Sequence, residues 1–506
     1  QASLGEEYER SEVEFSRDAI ALFKKLTQVE RIRPPRALKA KLRPYQRNGF
    51  QWLYKNAQLG IGSILADDMG LGKTLQVISL LLQLKTEGAF LTSKGLVIVP
   101  TTLLTNWEQE IKRFAPDLSV HIYHGPKRSL KDLDQSDLLL TTYGVVRSEK
   151  SKLAKKRWLS VVIDEAQAIK NPGSAQTKAI KAIQAPIKIA MSGTPVENRL
   201  SEYWSIFDFS MPAYLGKLRQ FKDDFARPIE VKRDQKQLSR FLKITSPFIL
   251  RRLKTDKSII KDLPDKIEQD QFCVLSQEQT GVYQNVIDNS LRLIESSEGI
   301  QRKGLVLKLI TALKQVCNHP RQFLKKGAAD PAHSGKCLRL FELLNDILQQ
   351  REKLLLFTQY QEMGKLLVEK IQQRFGVEPP FLHGGVSRKK RDEMVRNFQE
   401  QAQIPILILS LKAGGTGLNL TAANHVIHFD LWWNPAVEAQ ATDRAYRIGQ
   451  KKNVQVHRLI TTGTFEEKIN DLLQSKRELA DLTVGTGETW IGDLSDQEIG
   501  DLVRLE

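Results

Sequence analysis

Cysteine is scarce in this 506-residue chain: Cys273, Cys317 and Cys337 are the only three, far apart and in no CxxC pair. That spacing argues against a disulfide framework and structural zinc and fits a reducing compartment. Long apolar runs are missing too. No stretch reaches the roughly 18 residues of a membrane span. No signal-peptide pattern opens the chain, whose start at Gln1 reads as a processed chain or an excised core. Acidic charge is in deficit, with 59 Asp and Glu against 76 Lys and Arg, for a net charge of +17. The deficit is uneven, because Glu478–Glu506 is acidic with Arg504 its only basic residue. The remainder is therefore more basic than the total implies. No strongly amphipathic basic helix stands out, so the expected polyanionic partner is nucleic acid and not a membrane.

What is present is the size and patterning of a multi-domain globular protein. An apolar share of 41% and a mean hydropathy of −0.34 suit a soluble chain too long for one hydrophobic core. Residues 1–40 read as an N-terminal helical segment with a stiff Arg33-Pro34-Pro35-Arg36 link. Strands are then expected at Ile61–Leu65, Leu96–Val99, Leu138–Thr141, Val161–Ile163 and Ile187–Met191, alternating with helices. Two stretches, Glu202–Leu250 and Ser276–Phe323, are charged and helical in pattern, without strand signals. A second series of strands follows at Leu354–Phe357, Pro380–Leu382, Ile406–Leu409, His425–Phe429 and Val454–Leu459. The expected fold class is α/β: two tandem, doubly wound parallel-sheet lobes with helical insertions. The expected boundaries are 41–255 for the first lobe, including a protrusion at about 202–250. A linker and second protrusion follow at 256–335, then the second lobe at 336–475 and an acidic segment at 476–506.

Gly70-Leu71-Gly72-Lys73-Thr74 stands between an apolar strand and an apolar-periodic helix. That is the construction of a phosphate cradle. Backbone N–H groups and a helix N-terminus face the anion, Lys73 reaches the β- and γ-phosphates, and the Thr74 hydroxyl ligates Mg²⁺. One letter departs from the usual pattern, since Asp67 stands where a glycine is expected five residues before Gly72. Asp164-Glu165 follows the apolar run Leu159–Ile163, at the carboxyl end of a buried parallel strand where open α/β sheets bind ligands. Asp164 is expected to hold Mg²⁺ and Glu165 to orient and deprotonate the attacking water. In the second lobe, Gln440 opens a stretch that carries Arg444 and Arg447 three apart on one expected helix face. Two guanidiniums suit a transferring phosphoryl group, as an arginine finger does. The glycine-rich Ala413–Asn419 loop, with Thr416 and Gly417, is a further phosphate cradle, for nucleotide or DNA backbone.

Taken in order, the motifs from about residue 40 to residue 475 resemble the Swi/Snf-like DNA translocase family of superfamily-two helicase-type motors. They are Leu42-Arg-Pro-Tyr-Gln46, Asp67–Thr74, Val97–Pro100 with Asn106-Trp107, Thr141-Thr-Tyr143, Asp164-Glu-Ala-Gln167, Ser192-Gly-Thr-Pro195, Arg251-Arg252, Cys317-Asn-His-Pro320, Thr358-Gln359, Ala413–Leu420, Trp432-Trp-Asn-Pro435 and Asp443–Gln450. Two positions depart from the family's frequent residues, Asp68 for Glu and Gln167 for His.

The resemblance implies that the two doubly wound lobes are RecA-like and form a DNA-dependent ATPase, a motor that moves along double-stranded DNA and displaces bound protein without separating strands. A strand-separating helicase on DNA or RNA and an ATP-gated DNA clamp are the alternatives. It implies that Gln46 reads adenine, and that Asp68, Gly70, Gly72, Lys73, Thr74, Gly417 and Gln440 line the ATP and Mg²⁺ site. Lys73, Asp164, Glu165, Arg444 and Arg447 would act on the phosphates. Thr101, Trp107, Thr141, Arg251, Arg252, Ser410, Thr416 and Trp433 would meet DNA phosphates without reading bases. Nucleosomes or RNA polymerase are the DNA-bound targets it suggests. The setting it suggests is the nucleoid-associated cytoplasm for a bacterial or archaeal source, or the nucleus for a eukaryotic one.

Overall fold

The computed structural model describes residues 32–193, 200–254, 256, 264–327, 329–410, 418–432, 434–447, 449–479 and 494–505. The chain forms two compact units that divide between residues 261 and 262. The first is built on a seven-stranded sheet. Its strands are β1 (Ser63–Leu65), β2 (Lys94–Val99), β3 (Val120–Tyr123), β4 (Leu138–Thr142), β5 (Trp158–Ile163), β6 (Ile187–Met191) and β7 (Ile249–Leu250). They lie in the order β3-β4-β2-β5-β6-β1-β7, each pair parallel. Successive side chains of a strand point to opposite faces, and both faces here are apolar. Val97, Leu140 and Val162 pack on the face that carries the helices Pro44–Gln58, Lys73–Thr86 and Leu104–Phe114. Leu96, Ile98 and Ile163 pack on the other, against residues of the helices Ala175–Lys181 and Leu200–Ser210. A sheet buried on both faces is doubly wound, as the continuous apolar runs predict.

The second unit repeats the plan. Its strands are β8 (Lys266–Cys273), β9 (Leu354–Thr358), β10 (Phe381–Leu382), β11 (Ile406–Ser410), β12 (His425–His428) and β13 (Val454–Thr461). They run parallel in the order β10-β11-β9-β12-β13-β8. Leu354, Ile406 and Ile427 face one core, and Leu355, Leu407 and Val426 face the other. A third core belongs to the helical stretch: Tyr283, Leu309 and Leu313 of the helices Gln277–Glu295 and Gly299–Asn318 pack with Phe465, Ile469 and Ile499. The helix Asp496–Val503, within the acidic C-terminal segment, thus contributes to the interior.

Four expectations need correction. β7 ends the stretch at 202–250 that shows no strand signal, because a two-residue strand leaves no periodicity to read. β3 and β8 were not expected either. β8 lies in the segment assigned to a linker and is mostly exposed, so alternation of apolar residues does not mark it. Residues 32–43 contain no helix, and the rest of the expected N-terminal helix lies outside the described residues. Among the described residues, no helix is long and apolar enough to cross a membrane.

The three cysteines are free and buried, and burial pushes the Cys273 and Cys337 thiols up to about 11 and about 12. Close by, Lys336 and Glu466 form an ion pair of 2.8 Å, with side chains 0% and 1% exposed. Glu466 also accepts from the Thr461 backbone N–H at 3.0 Å, so the pair pins two helix starts to the end of β13. Removing one partner strands the other charge. Lys336→Met is therefore expected to destabilise the second unit by about 3–5 kcal/mol. The Lys336→Met/Glu466→Leu double variant should recover most of that loss. Urea denaturation of the three proteins checks both.

Candidate nucleotide and nucleic-acid site

Parallel strands bring their carboxyl ends to one edge, and in the first unit several motif residues follow such ends. Leu65 of β1 pairs with Met191 of β6 and with Leu250 of β7. Ile163 of β5 pairs with Ala190 of β6 and with Ile98 of β2. The loop after β1, Ser192 after β6, Asp164-Glu165 after β5, Thr101 after β2 and Arg251-Arg252 after β7 therefore share one rim. Two strand spacings, roughly 10 Å, separate the axes of β1 and β5. A triphosphate and its hydrated metal fit within that span.

The loop after β1 has the backbone of an anion cradle. Gly70 and Gly72 have φ of 84° and 75°, the left-handed region that glycine enters without penalty. A Cβ on Gly72 would come 2.4 Å from Gln46 Nε2, so a side chain there would displace the Gln46 amide from Leu71 O. The helix Lys73–Thr86 starts directly afterwards and presents its N-terminus to the loop. Lys73 Nζ folds back on the loop and donates to the carbonyls of Asp67 at 2.5 Å and Asp68 at 3.2 Å. Gln46 is buried. Its Nε2 donates to Leu71 O at 3.2 Å, and its Oε1 accepts from Arg43 N at 3.0 Å. The Asp68 carboxylate accepts from Lys254 N at 2.9 Å, which ties the loop to the chain after β7.

Asp164 and Glu165 are nine-tenths buried, yet each is held by donors. Asp164 Oδ1 accepts from Glu165 N and Oδ2 from Trp107 Nε1, both at 2.8 Å. Glu165 has φ of 51°, a left-handed conformation that costs a non-glycine residue roughly 1–2 kcal/mol. Its Oε2 accepts from Gln167 Nε2 at 2.7 Å, and Gln167 Oε1 accepts from Ser192 Oγ at 3.4 Å. The carboxylate pair is thus joined by side chains to the loop after β6. Gly193 in that loop approaches so closely that a Cβ there would lie 2.6 Å from Met69 Cγ of the phosphate loop. Tyr143 donates to Asp164 O at 2.6 Å. Burial first, then the Asp164 and Glu165 charges, push its phenol well above the usual range, so it remains a donor.

Among residues expected on DNA phosphates, Thr101 and Arg251 are exposed on this rim. Four others are interior. Trp107 is fully buried against the core and spends its one N–H on Asp164. Thr141 is buried and donates to Tyr123 O at 2.7 Å. Ser410 is a buried end residue of β11. Arg252, 8% exposed, forms a forked ion pair with fully buried Asp67: Nε donates to Oδ1 at 2.8 Å and Nη2 to Oδ2. Thr194, Thr416, Gly417 and Trp433 lie outside the described residues. No role is expected from sequence for Gln76, which bridges Arg252 and Asp67. A glutamine one turn into an otherwise apolar helix was the available signal.

In the second unit the helix Pro435–Thr442 stops before Arg444 and Arg447. Both arginines lie in the turns that follow and share no helix face, because the backbone tightens to Arg444 N→Ala441 O at 3.3 Å and Ala445 N→Thr442 O at 3.0 Å. Gln440 stays on the helix. Arg444 is buried, and its carbonyl accepts from Leu420 N at 3.0 Å. Arg447 Nη1 donates to Leu418 O at 3.4 Å. Gln450 fixes the segment by donating to Ala423 O at 2.7 Å and Ala445 O at 3.1 Å. Both arginines are therefore held against the segment just after the glycine-rich loop.

Residues 45–322 match the SNF2-related domain, and residues 337–449 match the helicase conserved C-terminal domain. The chain belongs to the SNF2-related family. It is 44% identical over 502 residues to the putative ATP-dependent helicase/translocase YwqA of Bacillus subtilis, covering 97% of this chain and 54% of that protein. It is 33% identical over 563 residues to the TATA-binding protein-associated factor MOT1 of Saccharomyces cerevisiae, covering 97% of this chain and 30% of that protein. A solved structure of the Sulfolobus solfataricus SWI2/SNF2 ATPase core in complex with dsDNA is 44% identical. The match covers 94% of this chain and 100% of that chain, with a TM-score of 0.48. The chain spans about half or less of the length of the curated relatives named here.

The Trp107 geometry yields a test. Trp107→Phe removes one donor from a buried carboxylate and is expected to cost the first unit about 1–3 kcal/mol in urea denaturation. Duplex DNA affinity should stay as in wild type. A hydrogen bond from the uncharged Trp107 indole to phosphate would instead show as weaker duplex affinity in Trp107→Phe at every salt concentration.

Proposed function

We propose that the chain is the ATP-driven core of a double-stranded DNA translocase, which displaces DNA-bound protein without separating strands. The observation that carries this reading is the shared rim, where a phosphate loop and a buried carboxylate pair follow strands two places apart in one sheet. ATP is the substrate of choice because Gln46, an amide able to pair with the adenine edge, packs on the loop at Leu71. On ATP binding, Lys73 would exchange two loop carbonyls for phosphate oxygens. The Thr74 hydroxyl and Asp164 are the residues suited to Mg²⁺, which would offset phosphate charge. Asp164 fits that task, since Trp107 Nε1 and Glu165 N hold its carboxylate in position. Glu165, turned by its left-handed backbone, would take the proton of the attacking water.

Arg444 and Arg447 complete the reading as groups that stabilise charge on the transferring phosphoryl. The net charge of +17 and exposed Thr101 and Arg251 support a DNA backbone as the track. Nucleosomes and RNA polymerase are candidate obstacles on it.

Turnover of ATP is expected to be low alone and to rise strongly with duplex DNA. Equal turnover with and without DNA overturns the reading. Lys73→Ala should abolish nucleotide binding, whereas Glu165→Gln should bind and not hydrolyse. Arg444→Ala should leave ATP binding nearly intact and lower turnover by about 10³ or more. Triplex displacement without duplex unwinding marks a translocase. Unwinding marks a strand-separating helicase, and hydrolysis with neither marks a clamp.

A further inference from the structure

Asp67 stands where a phosphate loop ordinarily has glycine, and it is fully buried. An ionised carboxylate survives there only with a partner. Arg252 is that partner, and every arm of its guanidinium is used. Nε and Nη2 take the two oxygens of Asp67, Nη1 donates to Tyr45 O, and Nη2 also donates to Gln76 Oε1 at 2.7 Å. Gln76 Nε2 returns to Asp67 Oδ2 at 3.2 Å. The guanidinium lies 5.1 Å from the centroid of the Tyr45 ring.

These contacts reach three pieces of the nucleotide site at once. Tyr45 and Gln46 both donate to Leu71 O, at 3.1 and 3.2 Å, so the helix that Arg252 holds at Tyr45 also holds the tip of the loop. Asp67 begins the loop, and Gln76 sits one turn into the helix that ends it. The backbone repeats the connection, with Ala66 N→Leu250 O at 2.8 Å and Asp68 N→Arg252 O at 3.0 Å. Gly49 shows how tightly the cluster is closed, because a Cβ there would meet Gln76 Oε1 at 1.8 Å and Arg252 Nη2 at 2.8 Å.

We propose that Arg252 is a positioning residue of the nucleotide site: its pairing with Asp67 sets the path of residues 67–72 and joins that path to the end of the 200–250 helical stretch. With four of its five N–H groups spent in this way and the residue only 8% exposed, the guanidinium is committed to the loop and not to a DNA phosphate. The inference rests on the reading that this loop binds ATP, so wild-type protein is titrated first with a fluorescent ATP analogue. No binding there sinks that reading.

If wild type binds, Arg252→Gln is expected to weaken the analogue's Kd about tenfold or more. The measurement is made at a temperature where circular dichroism shows the variant folded. KM for ATP should rise more than kcat falls, and the salt slope of duplex DNA affinity should stay as in wild type. The Asp67→Asn/Arg252→Gln double variant replaces the ion pair with two amides and should regain at least half of the lost affinity on a logarithmic scale. Should Arg252→Gln not fold, Asp67→Asn keeps the shape, removes the charge and carries the same expected loss. Unchanged analogue affinity, a double variant no better than its single parent, or a salt slope reduced by about one would each overturn the assignment.

Discussion

The first unit depends on one buried charge pair, Arg252 with Asp67. Such a pair is not a cheap source of stability, because desolvating two ions costs several kcal/mol each and good geometry only offsets it. Its effect is specific location. With Asp67 ionised and buried, β7 has to return beside β1 in the register that delivers Arg252, the helix at Gly49 has to come close, and Gln76 has to turn inward. An apolar residue at 67 would leave β7, only two residues long, with little to fix it. The sheet order and the phosphate loop are thereby tied to the same side chain.

The second unit solves a similar problem with Asp430. It is fully buried and accepts from Thr358 Oγ1 at 2.5 Å, from Gln359 N at 2.7 Å and from Asn318 Nδ2 at 3.2 Å. Thr358 ends β9 and Asn318 ends the long helix Gly299–Asn318, so one carboxylate joins the helical stretch to the rim of the sheet. Burial raises the carboxyl above its usual range despite the donors from Thr358 and Gln359. His319, beside Asn318, is spent on backbone groups: Nδ1 accepts from Arg321 N and Nε2 lies 2.9 Å from Asp330 O. In each unit, then, the place where a helical stretch meets the sheet is fixed by a buried ionisable group and not by apolar packing alone.

That pattern explains what the sequence discloses and what it hides. Runs such as Leu138–Thr141 and Ile406–Leu409 read as buried parallel strands because both faces of the sheet are covered, and burial demands continuous apolar residues. The shared rim follows from the same reading, since parallel strands can only present their ends together. β8 is hidden because its Lys-Ile-Glu-Gln-Asp-Gln-Phe-Cys side chains are mostly exposed at an edge. The acceptors that Arg252 and Trp107 meet are hidden on paper for a chemical reason. A guanidinium fork fits a carboxylate as well as a phosphate, and an indole N–H donates to either, so residue type cannot say which acceptor waits. Arg251, the neighbour with the same side chain, is exposed. Strand alternation separates the two, but only once β7 is known to exist.

Gln167 shows the same limit from the other side. By resemblance, histidine is frequent at this position, and an imidazole can donate to a carboxylate while accepting from a hydroxyl only in its neutral form. The Gln167 amide does both at once, giving its N–H to Glu165 and taking the Ser192 proton on its oxygen. An amide does not titrate, so the polarity of this link is the same at pH 6 as at pH 8, where an imidazole with its ordinary pKa near 6.5 would change charge. The link also constrains Glu165 where it is most strained. Relief of that strain would move the Glu165 backbone, and the Gln167 bond to its carboxylate, together with the Glu165 N–H held by Asp164, opposes the movement from both ends. The orientation of the proposed base is therefore set by two residues of one motif, Asp164 and Gln167, acting on the glutamate between them.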